Sequence, residues 1–396
     1  MERVQDCARN KGFGDFVRGC DKRYIKRKSM PDIISKTELK NMRIENQKAN
    51  EFNRVATDSR RKAQVKNLPF VSQDVRTEIY NDLFTDGVII QYPHGKVMQF
   101  GQKPFYYRGQ IKDYGFCKSS LYRKICNDDE LTKKTKVFAN QLRLYEFKEL
   151  IFNFEQVNKW PFGDVFTYAI AQHYGFETSI IDITNDLEVA LFFACCKHIG
   201  DNKYQPLCER DIKNENGRYG VLFIRNQLCD MYEAIENEGF ITVYPIGFQP
   251  FTRCHRQKGF FVNTQIDDDL QKSEKFKKCF FERSIELCQE VYNKFDGGKE
   301  LFTYDALDEM KDMIDSIKTA TSFSEKIFFA VYEEKNDGIS ESDWIEMLRT
   351  ILGVKIGRSS YKLSRQRKRA INRKWSVDRF VEQEKIAPGF RMAYIP

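Results

Sequence analysis

The sequence predicts an α+β protein in which a central mixed sheet with packed helices is followed by a helical C-terminal unit. Three observations carry this expectation. Short β-branched and aromatic runs (KPFYYRGQ, TSIIDI, GVLFIR, FITVYPI and GFFVNT) fall between residues 103 and 264. From about residue 270 onward, apolar residues recur instead at helical spacing. Between these regimes, SIIDI and LEVALFFA are joined by Thr-Asn-Asp, the pattern of a buried strand feeding a buried helix.

Taken in order, residues 71–86 repeat Val75, Ile79 and Leu83 on one face, so a short helix ending at Gly87 is expected. Residues 88–100, with Pro-His-Gly in the middle, read as a hairpin, and KPFYYRGQ as an aromatic strand ending at Arg108-Gly109. Phe147, Leu150, Ile151 and Phe154 predict a core-facing helix over 136–154. Asp164 is placed to cap a helix over VFTYAIAQHY, which Gly175 would end in left-handed backbone. After the strand TSIIDI, Asn185 with Glu188 three residues on resembles a capping box for the apolar helix from Leu187 to Cys195. Strands at 220–225, 240–246 and 259–264 follow, then helices at 276–295, 304–319 and 323–333.

A chain of 396 residues with 41% hydrophobic and 31% charged residues can bury a full core, and length alone suggests about two or three units. The expected division is a basic arm (1–70), an α+β domain (71–268), a helical unit (269–354) and a basic tail (355–396). No apolar run reaches the ~20 residues of a membrane span and the N-terminus lacks the apolar core of a secretory signal, so a cytoplasmic protein without membrane association is expected. The eleven cysteines include no C-x-x-C pair, which argues against a zinc or disulfide framework and for reduced thiols. KNDGISESDWIEML at 335–348 has the look of a calcium loop, but with Gly338 as its turn glycine a lysine would occupy a ligand position, so no metal site is expected.

The net charge of +8 is uneven. Residues 1–70 carry 18 basic and 9 acidic side chains, and residues 355–374 carry nine basic and no acidic ones. Such a segment suits a nucleic acid or another acidic partner, and equally a solvated face.

Asp182, Thr184 and Asn185 are polar groups at a junction between buried elements, where the free backbone donors of a helix N-terminus lie beside them. Two readings stand: a site exposed at the junction, or caps and hydrogen-bond hubs satisfied by the backbone. His173, on the apolar stripe before Gly175, is likewise either a core histidine or a base. Arg123, Arg253 and Arg256 either share an anionic pocket or form ordinary surface ion pairs.

Four blocks, FYYRGQ, SSLYRK, AQHYGFETSIIDITNDLEVALFFA and FTRCHRQKGFF, together resemble the ordered motifs of the FRG domain over roughly residues 75–265. Their order is also similar to a distant ADP-ribosyltransferase fold. That resemblance implies a site for NAD or a related nucleotide, with Arg108, Thr184 and Gln257 as catalytic residues. It further implies that Arg108, Gly109, Gln110, Tyr122, Arg123, His173, Asp182, Asn185 and Arg253 bind the cofactor. Gln257 departs from the glutamate such transferases use, since an amide carries no negative charge toward a cation; Glu282, Glu286 and Glu290 lie downstream. The implied activity is ADP-ribosyl transfer or NAD hydrolysis, with a role in defence or toxicity, and the alternative is a non-catalytic nucleotide- or nucleic-acid-binding module.

Overall fold

The computed structural model describes residues 32–60, 78–82, 87–91, 97–101, 105–160, 165–200, 202–213, 215–226, 243–246, 249–335 and 337–376. Its strands are β1 (Ile33–Ile34), β2 (Glu78–Asp82), β3 (Gly87–Gln91), β4 (Val97–Gly101), β5 (Phe105–Gln110), β6 (Ile180–Thr184), β7 (Cys196–Gly200), β8 (Lys203–Pro206), β9 (Tyr219–Asn226), β10 (Val243–Pro245), β11 (Gly259–Asn263), β12 (Lys277–Glu282), β13 (Ser322–Phe323) and β14 (Lys355–Ile356). The main helices are α1 (Lys36–Arg60), α2 (Ser120–Ile125), α3 (Glu130–Ile151), α4 (Thr167–His173), α5 (Leu187–Cys195), α6 (Ile285–Lys294), α7 (Lys311–Lys318), α8 (Glu325–Lys335), α9 (Glu341–Leu352) and α10 (Arg365–Lys374).

Seven strands form one mixed sheet in the order β1-β12-β9-β5-β6-β11-β10. The pair β1–β12 is parallel and the other neighbours run antiparallel. The period-2 alternation of strand side chains divides the apolar residues between two faces. Tyr106, Ile181, Ile183, Val221, Phe223, Phe260 and Val262 pack together on one side. On the other, Tyr107, Leu222, Ile224, Cys279 and Phe281 meet the apolar surface of α5 and the inner face of α6.

The C-terminal helices share cores with the middle of the chain. Leu144, Phe147 and Ile151 of α3 pack with Ile170 of α4 and with Met313, Ile314 and Ile317 of α7. Nearer its start, α3 places Phe138 and Leu142 against Phe328 of α8 and Trp344 of α9. The α+β expectation holds, with helices following the sheet: α6 packs directly on the sheet and α5, and α3 joins the later helices to the middle of the chain.

Several elements differ from the sequence reading. Within residues 71–86, where a helix was expected, Glu78–Asp82 is strand β2, because it pairs along its length with β3 in a three-stranded meander. Residues 276–295 are not one helix but strand β12 followed by α6. There Cys279 and Phe281 are fully buried while Lys278 and Phe280 are partly exposed, a two-residue alternation that β9 captures by pairing from Lys277↔Ile224 to Glu282↔Tyr219. β12 thus lies beyond residue 268 yet belongs to the main sheet, and β1 joins that sheet from the segment read as an arm.

Helix α1, also from the basic N-terminal segment, is fastened to the body. Arg43 holds Glu188 through two hydrogen bonds of 2.6 and 3.0 Å and also pairs with Glu290. Of the α4 helix, Asp164 lies outside the described residues; the helix begins at Thr167 behind Phe166, whose side chain makes no cap. Gly175 does end α4 in left-handed backbone, at φ 84°. The described part of the strand expected at 240–246 is Val243–Pro245.

Candidate functional site

The FYYRGQ run forms β5 with Tyr106 and Tyr107 buried on opposite faces. At its end the chain must be glycine, because α5 crosses directly over it. A Cβ built on Gly109 would lie 1.8 Å from the carbonyl oxygen of Ala190 and 3.2 Å from the amide nitrogen of Ala194. The glycine therefore serves helix packing, and the packing brings Arg108 beside β6.

The junction after β6 divides its polar residues between two tasks. Asp186 caps α5, accepting from the Glu188 amide at 3.0 Å, so the cap lies one residue beyond Asn185. Asn46 and Asn50 of α1 donate to the two Asp186 carboxylate oxygens at 2.9 and 3.1 Å, and Lys258 lies 3.1 Å from one of them. Thr184 accepts from the Asp186 amide at 3.1 Å, which makes its hydroxyl part of the turn as well as of the wall described below. Asn185 is buried, away from that wall.

Asp182 does the other task. A cleft of about 1080 Å³ opens between the sheet, the end of α4, the face of α5 and the segment from Phe302 to Lys318. On its floor, Gln172 donates to Asp182 Oδ2 at 2.7 Å and in turn accepts from the Thr178 hydroxyl, which fixes the carboxylate. Arg108 donates through Nη1 to the Asp182 carbonyl oxygen at 2.7 Å. His173 Nε2 stands 3.9 Å from Asp182 Oδ1, beyond hydrogen-bond range, and neither atom has a hydrogen-bond partner among the described residues. The buried Nε of Arg108 lacks one too. Unsatisfied buried polar atoms cost about 1–3 kcal/mol each, and three of them are gathered on this one floor.

Burial acts on both members of the pair and draws their pKa values toward each other. Burial pushes the Asp182 pKa above the usual aspartate value, against the opposing pull of His173 and Arg108. Burial pushes the His173 pKa down, with Asp182 opposing it and Arg253 adding to it, so the imidazole is neutral at pH 7. The floor places an aspartate and an imidazole side by side, two groups that, ionised and neutral respectively, can stabilise a developing cation and accept a proton.

Of the residues singled out in the sequence, Arg108, Gly109, Gln110, Arg123, His173, Asp182, Thr184, Arg253 and Gln257 line this cleft. Tyr122 and Asn185 do not. Tyr122 belongs to α2, whose start is tied down by Ser119, the N-cap, and by Ser120, which accepts from the Thr178 amide at 2.9 Å. Arg253 is committed to the protein itself: it donates to the His173 carbonyl at 3.1 Å, pairs with Asp308 and stacks 3.9 Å above the Tyr174 ring. Gln257 is buried and donates to the Leu301 carbonyl at 3.2 Å. Both therefore hold the wall in place. Arg123 is exposed at the cleft edge.

Sequence reading missed Gln172, although it stands beside His173 in the AQHYG block and its spacing to Asp182 was on view. It also missed the far wall, made of Phe302, Tyr304, Asp308, Lys311, Asp315 and Lys318. Nothing local in that stretch marks it, because its partners are distant in the chain: Arg253 for Asp308 and Tyr174 for Asp305.

Behind this wall, buried Asp305 accepts from the Tyr174 hydroxyl and from the Leu307 and Thr252 amides. Its pKa is raised to about 6, chiefly by burial, with the Tyr174 hydrogen bond opposing and Asp308 adding. The folded state therefore binds this proton more tightly than the unfolded chain, whose aspartate titrates near ~3.9. The stability it contributes is present below that unfolded value and is lost as pH rises through about 6. In urea titrations, the wild type should lose on the order of 2–3 kcal/mol relative to Asp305→Asn between pH 4 and pH 7. A difference that stays flat over that range would rule this assignment out.

Comparison with known families gives one match: residues 103–203 fit the model of the FRG domain. No curated protein and no solved structure matches the chain. The matched segment runs from β5 through α5 to β8 and contains Arg108, Gln172, His173, Asp182 and Thr184.

Proposed function

With residues 103–203 matching the FRG domain, we propose that the cleft binds NAD and breaks its nicotinamide–ribose bond, passing ADP-ribose to water or to another acceptor. One observation carries the reading: Asp182 Oδ1 and His173 Nε2 face each other across 3.9 Å without partners, beside Arg108. Breaking this bond builds positive charge on ribose C1′, as in glycoside hydrolysis, and a carboxylate there lowers the barrier. In this reading Asp182 takes the anionic role for which Gln257 lacks the charge.

The remaining parts follow from chemistry. The nicotinamide nitrogen keeps the bonding electron pair and leaves uncharged. Water attacks C1′ and surrenders a proton to the neutral His173 imidazole. Arg108 and Arg123 present planar guanidinium groups to the diphosphate, and Tyr114, Phe116, Phe302 and Tyr304 offer rings against which a base stacks. No helix among the described residues is long and apolar enough to cross a membrane.

A second reading, a nucleotide-binding module without turnover, is favoured by a different observation. Among the described residues, the acids lining the cleft are Asp182, Asp308 and Asp315, with no glutamate. One experiment tests both. The full-length protein is incubated with NAD, released nicotinamide is quantified and NAD affinity is measured by calorimetry, for wild type and Arg108→Ala. Release and binding that both fall at least tenfold in the variant support the first reading. Binding without release supports the second, and release undiminished in Arg108→Ala overturns the site.

A further inference from the structure

The basic helix α10 spends half of its charge on the protein and presents the other half to solvent. Arg367 pairs with Asp312 at 2.7 and 2.6 Å, Lys374 pairs with Glu309 at 2.5 Å, Lys368 reaches Asn153 at 3.1 Å, and Ile371 is buried between them. These residues fasten one face of α10 to α7 and the turn before it. Arg365, Arg369 and Arg373 recur every fourth residue on the other face. All three are exposed, and none makes a hydrogen bond or ion pair with any described residue.

Such an arrangement works against the isolated helix. Like charges four residues apart repel, and Arg365 sits in the first turn, where the helix dipole disfavours a cation. The first turn of α10 contains no acidic residue to offset it. A polyanion along the ridge would relieve both effects.

We propose that the Arg365–Arg369–Arg373 ridge binds the phosphate backbone of duplex nucleic acid without regard to base sequence. Successive arginines rise ~6 Å along the helix. One duplex strand offers a phosphate every ~3.4 Å of axis, so each guanidinium can meet about every second phosphate. The rigid fork of arginine suits phosphate oxygens in two places. Between the arginines the ridge carries Gln366 and Ala370, both exposed, and no large apolar side chain to enter a lipid surface or to form the core of a protein interface. Arg358 and Lys362, exposed just before the helix, extend the same charge.

This inference rests on no part of the NAD reading. It is tested by fluorescence anisotropy with the full-length protein and a labelled 20-base-pair DNA duplex over a salt series. Wild type should bind with affinity falling steeply as salt rises. Combining Arg365→Ala, Arg369→Ala and Arg373→Ala should weaken binding at least tenfold and reduce the log–log salt slope by roughly 2.7, at ~0.9 per phosphate contact. Arg349→Ala, an exposed arginine paired with Glu346, should leave both unchanged, and an unaltered melting temperature would show that the triple variant is folded. A wild-type slope in the triple variant overturns the proposal. So does wild-type protein that ignores the duplex and binds phosphatidylserine vesicles instead.

Discussion

Asp182→Asn is expected to lower nicotinamide release from NAD at least a hundredfold at pH 7, the loss typical when one charge-stabilising group is removed from a reacting centre. The substitution keeps the shape of the side chain, and Gln172 can still donate to the remaining carbonyl oxygen. It also removes a carboxylate whose ionisation burial opposes. Folding should therefore survive, with a melting temperature at or above that of wild type, so a lost rate cannot be ascribed to unfolding. The pH profile supplies a second check. Because the Asp182 pKa is raised, the carboxylate is protonated at a higher pH than an ordinary aspartate, and the acid limb of the wild-type rate should fall above the ~3.9 of a free side chain. A variant that keeps more than a tenth of the wild-type rate would remove Asp182 from the chemistry.

Gly109→Ala is expected to cost more than about 4 kcal/mol and to lower the melting temperature by on the order of 10 °C, or to leave the protein insoluble. The added methyl would stand 1.8 Å from the Ala190 oxygen and 2.7 Å from its carbonyl carbon. Both are backbone atoms, so no side chain can swing aside. Helix α5 would have to lift off the sheet, and its packing residues Leu187, Ala190, Leu191 and Ala194 are all fully buried. Thermal melts followed by circular dichroism check this, and a shift within about 2 °C would show that α5 yields more easily than its burial implies. The glycine of the Arg-Gly-Gln motif is on this account a packing residue, and its arginine neighbour lines the cleft.

How far the site could be read from the chain depends on how local its causes are. β5, β6 and α5 were legible because alternation and an unbroken apolar helix leave their mark on five to nine adjacent residues. The cap of α5 was misplaced by one position because Asn185 and Asp186 are both good capping residues. Asn46 and Asn50, from a helix some 140 residues away, hold the carboxylate of Asp186. β12 was read as helix because KKCFFE is short and apolar enough to suit either period, and its pairing with β9 decided it. Arg253 looked like an anion ligand until Tyr174 and Asp308 were found beside it.

By itself, the sequence determined the α+β class, the strand-to-helix junction, the FRG motifs and the grouping of Arg108, His173, Asp182 and Thr184 as residues of interest. The class and the junction rest on periodicity, capping chemistry and short-range spacing, which act between near neighbours in the chain, and the grouping of residues rests on the resemblance of the ordered blocks to the FRG motifs. Only the tertiary structure decided that α1 and β12 belong with the sheet, that Arg253 and Gln257 serve the wall, and that Phe302 to Lys318 closes the cleft opposite Asp182. Those outcomes come from burial and pairing between distant segments, where the free energy of a residue is set by what packs against it and its own type is only a weak guide.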